Sequence, residues 1–340
     1  MNLDELHKVA QALAAPGKGI LAADESTGTI KKRLASIDVE STETTRRDYR
    51  EMLFTTAGME EHISGVILFD ETLRQDAHDG TALRRILQRK GVTPGIKVDT
   101  GAKDLVGFPG EKVTEGLDGL DKRLAEYREL GAKFAKWRAV INIGSHIPSG
   151  FCLLANAHAL ARYAALCQEA GVVPIVEPEV MMTGDHSIER CEDVTTDTLN
   201  LVFSQLIDHG VALEGILLKP NMVLPGKDCP TQASPQEVAE ATVRCFRRVV
   251  PAAVPGIMFL SGGQTPEQAT ANLNAMNSMG DRPWQLSFSY GRALQQPALQ
   301  AWMGESSNVP AAQQAFYLRA KLNGAARYGQ YTPEMEPAGA

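Results

Sequence analysis

Short apolar runs alternate with longer amphipathic segments along most of the chain. The runs are rich in leucine and β-branched residues and are bounded by Gly, Pro or Asp, a pattern typical of buried strands. Eight strands are predicted, at 19–24, 63–69, 93–99, 134–141, 172–180, 214–220, 256–261 and 284–291.

The segments between these strands carry the signals of helices. Segment 118–131 places its apolar residues at a spacing of about 3.6 and ends at a glycine, as does segment 156–171. A further helix is predicted to begin at Ser234, with Pro235 at its first position and Glu237 completing a capping box.

A steady alternation of strand and helix without a linker predicts an α/β fold, a single (β/α)8 TIM barrel with extra N- and C-terminal helices. We expect residues 1–329 to form one catalytic domain and the Pro- and Gly-rich segment 330–340 to be a mobile C-terminal tail. A doubly wound open sheet is the alternative. It is disfavoured because no Gly-rich dinucleotide loop follows the first strand.

Composition narrows the classes of partner. The chain has 340 residues and a net charge of −7, so it lacks the basic surface typical of nucleic-acid binding. No apolar run is long enough for a membrane span, and the N-terminal stretch lacks a signal-peptide pattern. The five cysteines are scattered, with no CxxC pair, which favours the cytoplasm and argues against structural zinc. Small-molecule or protein partners are therefore expected.

Ionisable residues recur near the carboxyl ends of the predicted strands, where a barrel of this type places its active site. Lys136 and Arg138 are two residues apart and so share one face of a strand, and the same holds for Glu177 and Glu179. Trp137 and Val140 are expected on the opposite, apolar side, beneath the helices. The ionisable residues near the strand ends are Asp24, Lys97, Asp99, Lys136, Arg138, Glu177, Glu179 and Lys219.

Lys219 ends the apolar run GILLKPNM and is followed at once by a proline. A lysine amine is a nucleophile only when neutral, and burial together with a neighbouring cation favours the neutral form. Lys136 and Arg138 are predicted to supply that cation. A neutral amine there would attack a ketone to form an iminium, with Glu177 moving protons and Asp24 accepting a hydroxyl proton during carbon–carbon cleavage.

Two glycine-containing turns follow the seventh and eighth predicted strands. They are predicted to offer bare backbone N–H groups to a phosphate, with Arg292 as an additional charge, because the loops after these two strands are the usual phosphate site of the fold. A second phosphate is predicted near the DESTG segment at 24–28, within reach of Ser26, Thr29, Arg33 and Lys97.

Several longer motifs resemble one known family. The segments ILAADESTGTIKKRL, GIKVDTG, FAKWRAVI, VPIVEPE, LEGILLKPNMV, FLSGGQ and LSFSYGRALQ resemble the class I, Schiff-base fructose-1,6-bisphosphate aldolases, in family order from about residue 3 to Pro333. The resemblance implies reversible cleavage of fructose 1,6-bisphosphate to dihydroxyacetone phosphate and glyceraldehyde 3-phosphate, in glycolysis or gluconeogenesis. It also implies a homotetramer acting on sugar phosphates with no metal and no cofactor.

The same resemblance implies roles for individual residues. Lys219 matches the Schiff-base lysine, Glu177 the proton-transfer glutamate, and Asp24 the aspartate that acts at the substrate hydroxyl. Lys136 is expected to complete the catalytic set. Substrate or phosphate binding is implied for Arg138, Lys97, Ser26, Thr29, Arg33, Ser261, Gly262, Gly263, Ser289, Gly291, Arg292 and, by a weaker match, Arg46.

The C-terminal region departs from the animal and plant pattern, which ends in a longer tail with a terminal tyrosine implicated in protonating the enamine. No such tyrosine follows Tyr331, as in bacterial members, so the route of that proton is left open. The preference between fructose 1,6-bisphosphate and fructose 1-phosphate is also left open.

None of the seven histidines has HxH or HxxxH spacing, which argues against a zinc-dependent aldolase. The alternatives are a different Schiff-base lyase, transaldolase-like or acting on one phosphate, and a non-catalytic barrel scaffold.

Overall fold

Eight parallel strands close into a barrel in the computed structural model, which describes residues 2–337. The barrel strands are β1 (Gly19–Ala23), β2 (Ile63–Leu68), β3 (Thr93–Lys97), β6 (Phe134–Ile141), β7 (Val173–Val180), β8 (Leu217–Leu218), β9 (Gly256–Phe259) and β10 (Gln285–Tyr290). They are joined in the order β1-β10-β9-β8-β7-β6-β3-β2, with β2 pairing back to β1. The predicted fold class is confirmed.

Helices surround the barrel. They are α1 (Leu3–Leu13), α2 (Thr27–Ala35), α3 (Glu43–Phe54), α4 (Asp70–Arg74), α5 (Leu83–Arg89), α6 (Leu120–Glu129), α7 (Gly150–Glu169), α8 (Ile188–Asp208), α9 (Pro235–Val249), α10 (Pro266–Asn277), α11 (Arg292–Trp302) and α12 (Val309–Ala326). The predicted capping box of α9 is present, with the Ser234 and Glu237 side chains each bonded to the other's backbone N–H.

One hairpin was not predicted. Strands β4 (Gly101–Asp104) and β5 (Lys112–Glu115) pair in antiparallel fashion between β3 and α6. Their sequence is largely polar and exposed, so it lacks the apolar pattern by which a buried strand is recognised. The hairpin lies beside the carboxyl end of β3 and so contributes to the polar end of the barrel.

The sixth predicted strand is shorter than expected. Residues 214–220 were predicted, whereas β8 contains only Leu217–Leu218, because Leu213–Gly215 form a 3-10 turn and Pro220 has no N–H to donate to the ladder. Lys219 nevertheless keeps a strand-like bond, with its backbone N–H donating to the Val176 oxygen at 2.8 Å.

The two ends of the barrel differ in chemistry. The interior near the amino ends of the strands is apolar and is closed by α1, whose Leu6, Ala10 and Leu13 join the same core cluster as Phe134. Gly95 makes room for that ring, since a Cβ there would lie 2.3 Å from an aromatic carbon of Phe134. With this end filled, the space inside the barrel opens at the carboxyl ends of the strands.

Val140 corrects one prediction. The prediction puts it with Trp137 on the apolar side, but it lies two positions after Arg138, so the alternation of β6 turns it inward and it lines the polar cavity. Trp137 is fully buried outside the barrel interior, as expected, and stacks on Tyr163 of α7.

The segment after α12 packs against the barrel surface as far as it is described. Tyr331 is largely buried and its hydroxyl donates to Glu336 Oε1 at 3.0 Å, while both oxygens of that carboxylate lie 2.6 Å from Arg319 Nη1. Residues 338–340 lie outside the described part of the chain. The assignment of 330–340 as a mobile tail therefore stays a prediction.

Candidate active site

A cavity of ≈ 570 Å³ opens at the carboxyl ends of the barrel strands. All of the predicted site residues except Gly263 and Arg46 line it. They are Asp24, Ser26, Thr29, Arg33, Lys97, Lys136, Arg138, Glu177, Lys219, Ser261, Gly262, Ser289, Gly291 and Arg292. Residues from distant parts of the sequence thus meet at the position that the barrel topology predicts.

Strand register brings the charged side chains together. On β6 and β7, Arg138 lies beside Glu177, and the alternation of each strand turns Lys136 and Glu179 toward the same interior. Lys219 follows β8 directly, where Pro220 ends the ladder and leaves the amine at the floor of the cavity.

Two carboxylates and two amines form a buried cluster at the centre of the cavity. The Glu177 carboxylate bridges the amines, with Oε1 3.2 Å from Lys219 Nζ and Oε2 3.3 Å from Lys136 Nζ. The other carboxylate, on Asp24, places Oδ2 2.6 Å from Lys136 Nζ. Lys136, Glu177 and Lys219 are each no more than 4% exposed, so water screens these charges weakly.

Mutual attraction sets the charge states of this cluster. Burial by itself would raise the pKa of Asp24, but the charges of Lys136 and Lys219 and a hydrogen bond from Lys136 hold it well below its ordinary value of 3.8. Burial would likewise lower the pKa of Lys136, yet Asp24, Glu177 and Asp99 raise it well above its ordinary value. At neutral pH, Asp24 is therefore a carboxylate and Lys136 an ammonium.

The Glu177 carboxylate keeps one oxygen free of hydrogen bonds. Within residues 2–337, its Oε2 accepts none, although the Lys136 ammonium lies 3.3 Å away. The only interaction of this oxygen found among the described residues is the electrostatic attraction of Lys136, so a proton can bind to it or leave it without breaking a hydrogen bond.

The turns after β9 and β10 form one end of the cavity. Arg292 Nη2 donates to the Gly262 oxygen at 2.5 Å, and among the described residues the buried Ser289 Oγ has no hydrogen-bond partner. The Gly263 N–H is not bare as predicted, because it donates to Met182 Sδ at 2.9 Å. This end therefore presents a guanidinium and an unpartnered hydroxyl.

The opposite end carries hydroxyls and a paired lysine. Ser26 Oγ lies 3.2 Å from Thr29 Oγ1 at the start of α2. Lys97 Nζ donates to both the backbone oxygen and Oδ1 of Asp99, each at 2.6 Å.

The two arginines on this side of the cavity are also paired. Arg33 is bonded to Glu25, and Arg138 Nε is bonded to Glu179. Burial would lower the pKa of Arg138, but the neighbouring carboxylates, Glu179 first, raise it overall. Arg138 is thus neutralised by its own partner rather than supplying the cation next to Lys219 as predicted. Lys136 is the cation of the central cluster.

Sequence reasoning missed the residues that hold these cations. Glu25 follows Asp24 directly and contacts both Arg33 and the almost fully buried Arg50, whose Nη2 lies 2.8 Å from Glu25 Oε2. Its position beside a candidate base gives no signal of that pairing, because Arg50 lies in α3 and is brought near only by the fold. The unpredicted hairpin likewise adds Gly101 and Ala102 to the cavity wall, next to Thr100, which precedes it.

Arg46 lies outside the cavity wall. It extends from α3 to α4, where Nε and Nη2 bond the two carboxylate oxygens of Glu71 at 2.8 and 2.6 Å. A two-point bond of this kind fixes a guanidinium in place. The predicted substrate contact of Arg46 has no support in this geometry and stays a prediction.

Asp48, Glu51 and His78 form a cluster whose ligand atoms are close enough together for a metal ion. It lies away from the barrel cavity, and Arg47 already donates to Asp48 Oδ1 at 2.6 Å and lies 2.9 Å from His78 Nε2. A guanidinium at this distance opposes a cation, so we assign no metal to the cluster.

Comparison with known proteins shows which family this chain belongs to. A sequence model described as fructose-bisphosphate aldolase class-I, the glycolytic family, matches residues 5–340. The chain belongs to the class-I fructose-bisphosphate aldolases. Members of the family cleave fructose 1,6-bisphosphate reversibly to dihydroxyacetone phosphate and glyceraldehyde 3-phosphate through a lysine Schiff base, and this chain is an aldolase of that class.

Relatives match over most of their length. A probable fructose-bisphosphate aldolase class 1 of Xanthomonas campestris is 58% identical over 332 residues, covering 97% of this chain and 99% of the relative. The cytosolic fructose-bisphosphate aldolase 4 of Arabidopsis thaliana is 55% identical, covering 98% of this chain and 85% of the plant protein.

The same architecture is found in a solved structure. Fructose-bisphosphate aldolase from Plasmodium falciparum, determined in complex with TRAP and a small-molecule inhibitor, superimposes with a TM-score of 0.96 at 48% identity, covering 97% of this chain and 96% of that one. No helix within residues 2–337 is both long and apolar enough to cross a membrane.

Proposed function

We propose that Lys219 forms the Schiff base and that Glu177 transfers the protons of that step. The supporting observation is the position of Glu177, with one carboxylate oxygen 3.2 Å from Lys219 Nζ and the other beside the Lys136 ammonium. A single carboxylate at this point can exchange protons with the nucleophile while its own charge is stabilised by the second amine.

The reaction follows from this arrangement. Glu177 takes a proton from the Lys219 amino group, which then adds to the substrate ketone to give a carbinolamine. Glu177 returns that proton to the carbinolamine hydroxyl, which leaves as water as the iminium forms. Asp24, a carboxylate at neutral pH, accepts the proton of the substrate hydroxyl. The carbon–carbon bond then breaks, its electron pair moves to the iminium to form an enamine, and the aldehyde product departs.

Lys136 holds the cluster ready for these steps. Its ammonium bonds Asp24 and attracts Glu177, so it keeps Asp24 ionised and holds both carboxylates in place in a site from which water is largely excluded. We therefore assign Lys136 an electrostatic role and the two carboxylates the proton transfers.

The two ends of the cavity are assigned to the two substrate phosphates. One phosphate binds at Ser261, Gly262, Ser289, Gly291 and Arg292, and the other near Ser26, Thr29, Arg33 and Lys97. Polar groups at both ends support fructose 1,6-bisphosphate as the preferred substrate over fructose 1-phosphate, since a single phosphate would leave one set of groups without a ligand.

We further infer a cytoplasmic enzyme that forms a homotetramer and acts on sugar phosphates without metal. The cytosolic names of the plant relatives support the location, and the family resemblance supports the tetramer. Sedimentation of the purified chain measures the tetramer directly.

Borohydride trapping tests the proposed nucleophile. The protein is incubated with dihydroxyacetone phosphate and chelator, reduced with borohydride and digested, and the modified peptide is identified by mass. We expect a phosphorylated triose adduct on Lys219, lost in Lys219→Arg and kept when the exposed Lys321 is replaced by Arg. An adduct on Lys136 instead, in folded wild-type protein, would overturn the assignment.

A further inference from the structure

Lys227 lies in the loop that follows β8 and has no role in the scheme above. The loop is held by three backbone hydrogen bonds to the segment after β7, in which Gly226, Lys227 and Asp228 donate to the oxygens of His186, Met182 and Gly184 at 2.8, 2.8 and 2.9 Å. The backbone of Lys227 is thus fixed, although its side chain is exposed.

The end of the Lys227 side chain lies against Gly263, the last residue of the turn Ser261–Gly263. A Cβ added to Gly263 would lie 2.1 Å from Lys227 Cε and 2.7 Å from Nζ, so the lysine fills the space where a side chain would stand. Such a close approach needs a glycine at this position. The ammonium is therefore held beside the turn.

The charge at this point has no carboxylate of its own. Within residues 2–337, Lys227 Nζ forms neither an ion pair nor a hydrogen bond, whereas Lys97, Arg33 and Arg138 are each paired with an acid. Arg292 Nη2 donates to the backbone oxygen of Gly262, the residue just before Gly263. Among the described residues, Lys227 and Arg292 are therefore two cations without acidic partners that border consecutive residues of one turn.

We propose that Lys227 binds the substrate phosphate seated on this turn, as a second cation beside Arg292. The proposal rests on the assignment of a phosphate to the Ser261–Gly263 turn. A lysine ammonium carries three donors on a flexible stem, so it can swing from Gly263 onto a phosphate oxygen without moving the backbone. Anchoring of this kind lowers KM and leaves the chemical step unchanged.

Steady-state kinetics with fructose 1,6-bisphosphate test the proposal. We expect Lys227→Gln to raise KM about 3- to 10-fold with kcat nearly unchanged, a moderate effect because the group is exposed and screened. Lys227→Arg should restore most of the affinity. The difference between Lys227→Gln and the wild type should shrink in high salt.

Two further variants separate the possible failures. Lys321→Gln removes an exposed lysine from α12 and should leave KM at the wild-type value, whereas Arg292→Gln reports on the phosphate turn itself. A raised KM for Arg292→Gln with an unchanged KM for Lys227→Gln would overturn the role of Lys227 alone. Unchanged KM values for both variants would overturn the phosphate assignment and the inference with it.

Discussion

The two ends of the cavity hold their cations in different ways. At the end formed by the turns after β9 and β10, Arg292 is bonded to a backbone oxygen and Ser289 Oγ has no partner among the described residues. At the other end, Lys97 and Arg33 are each bound by a carboxylate, Asp99 and Glu25.

This difference predicts how each end binds an anion. Within residues 2–337, Arg292 is paired with no acid, so its full charge is available to attract a phosphate. A phosphate at Arg33 or Lys97 must share a cation that is already paired, which reduces the gain in free energy. We infer that the Arg292 end anchors the substrate, whereas the paired end serves mainly to orient it.

The largest expected effect is a loss of kcat on replacing Glu177, which lies between the two ends of the cavity. Glu177→Gln keeps the size of the side chain but removes the proton donor between the two amines. We expect kcat to fall about 10²- to 10⁴-fold with a much smaller change in KM, because proton transfer and not anchoring is lost. Steady-state kinetics measure kcat and KM of the variant, and a circular dichroism spectrum equal to that of the wild type shows that the variant is folded. A rise in KM at unchanged kcat would contradict it.

The carboxylates at the end of the cavity that holds Arg33 and Lys97 are expected to stabilise the folded protein. Glu25→Gln leaves the Arg50 guanidinium, whose side chain is 2% exposed, without a counter-charge. We expect the free energy of unfolding to fall by about 3–5 kcal/mol, measured by urea denaturation.

A matched control is the surface pair of Glu126 with Arg74, whose side chains are 51% and 42% exposed. Glu126→Gln should change the free energy of unfolding by less than about 1 kcal/mol. Equal losses in Glu25→Gln and Glu126→Gln would show that burial of the first pair is not decisive.

Substrate affinity tests the contrast between the ends directly. Arg292→Gln should raise KM for fructose 1,6-bisphosphate about 10- to 100-fold, the usual cost of a lost charge-assisted hydrogen bond. Arg33→Gln should raise KM by a clearly smaller factor, because Glu25 already neutralises this arginine. If the two increases are equal, the pairing with Glu25 does not weaken the attraction and the comparison fails.

The smallest expected effect concerns pH. The pKa of Asp24 in the folded state is held below its ordinary value of 3.8. Its contribution to stability is therefore complete above that value and is lost as the pH falls below it. Lys136, whose pKa is raised, stays charged throughout this range.

Urea denaturation of the wild type and Asp24→Asn, from about pH 7 to about pH 3, measures this contribution. The difference between the two free energies of unfolding should be constant at neutral pH and should shrink below about pH 4. A difference that changes near pH 6 would instead implicate a histidine.

Much of the architecture follows from local sequence patterns. The alternation of apolar runs and amphipathic segments predicted the closed barrel, and the period of two along β6 and β7 placed Lys136, Arg138, Glu177 and Glu179 on one face. The same period turns Val140 inward with Arg138, because the two residues are two positions apart on β6.

The central chemistry was also predictable, because parallel barrel strands bring their carboxyl ends together. The sequence by itself thus determined the fold class and the set of groups at the mouth of the barrel, since both depend on repeating local geometry. The longer motifs, such as the one around Lys219, indicated the class I aldolase family.

Only the tertiary structure decided which charge faces which. In the folded chain Arg138 is paired with Glu179, and Arg46 with Glu71. Met182 and Lys227 contact Gly263. The polar segment 101–115 forms a hairpin at the cavity wall. These contacts join residues far apart in the chain. No periodicity records them, because their free energy depends on distance and burial that exist only once the barrel has closed.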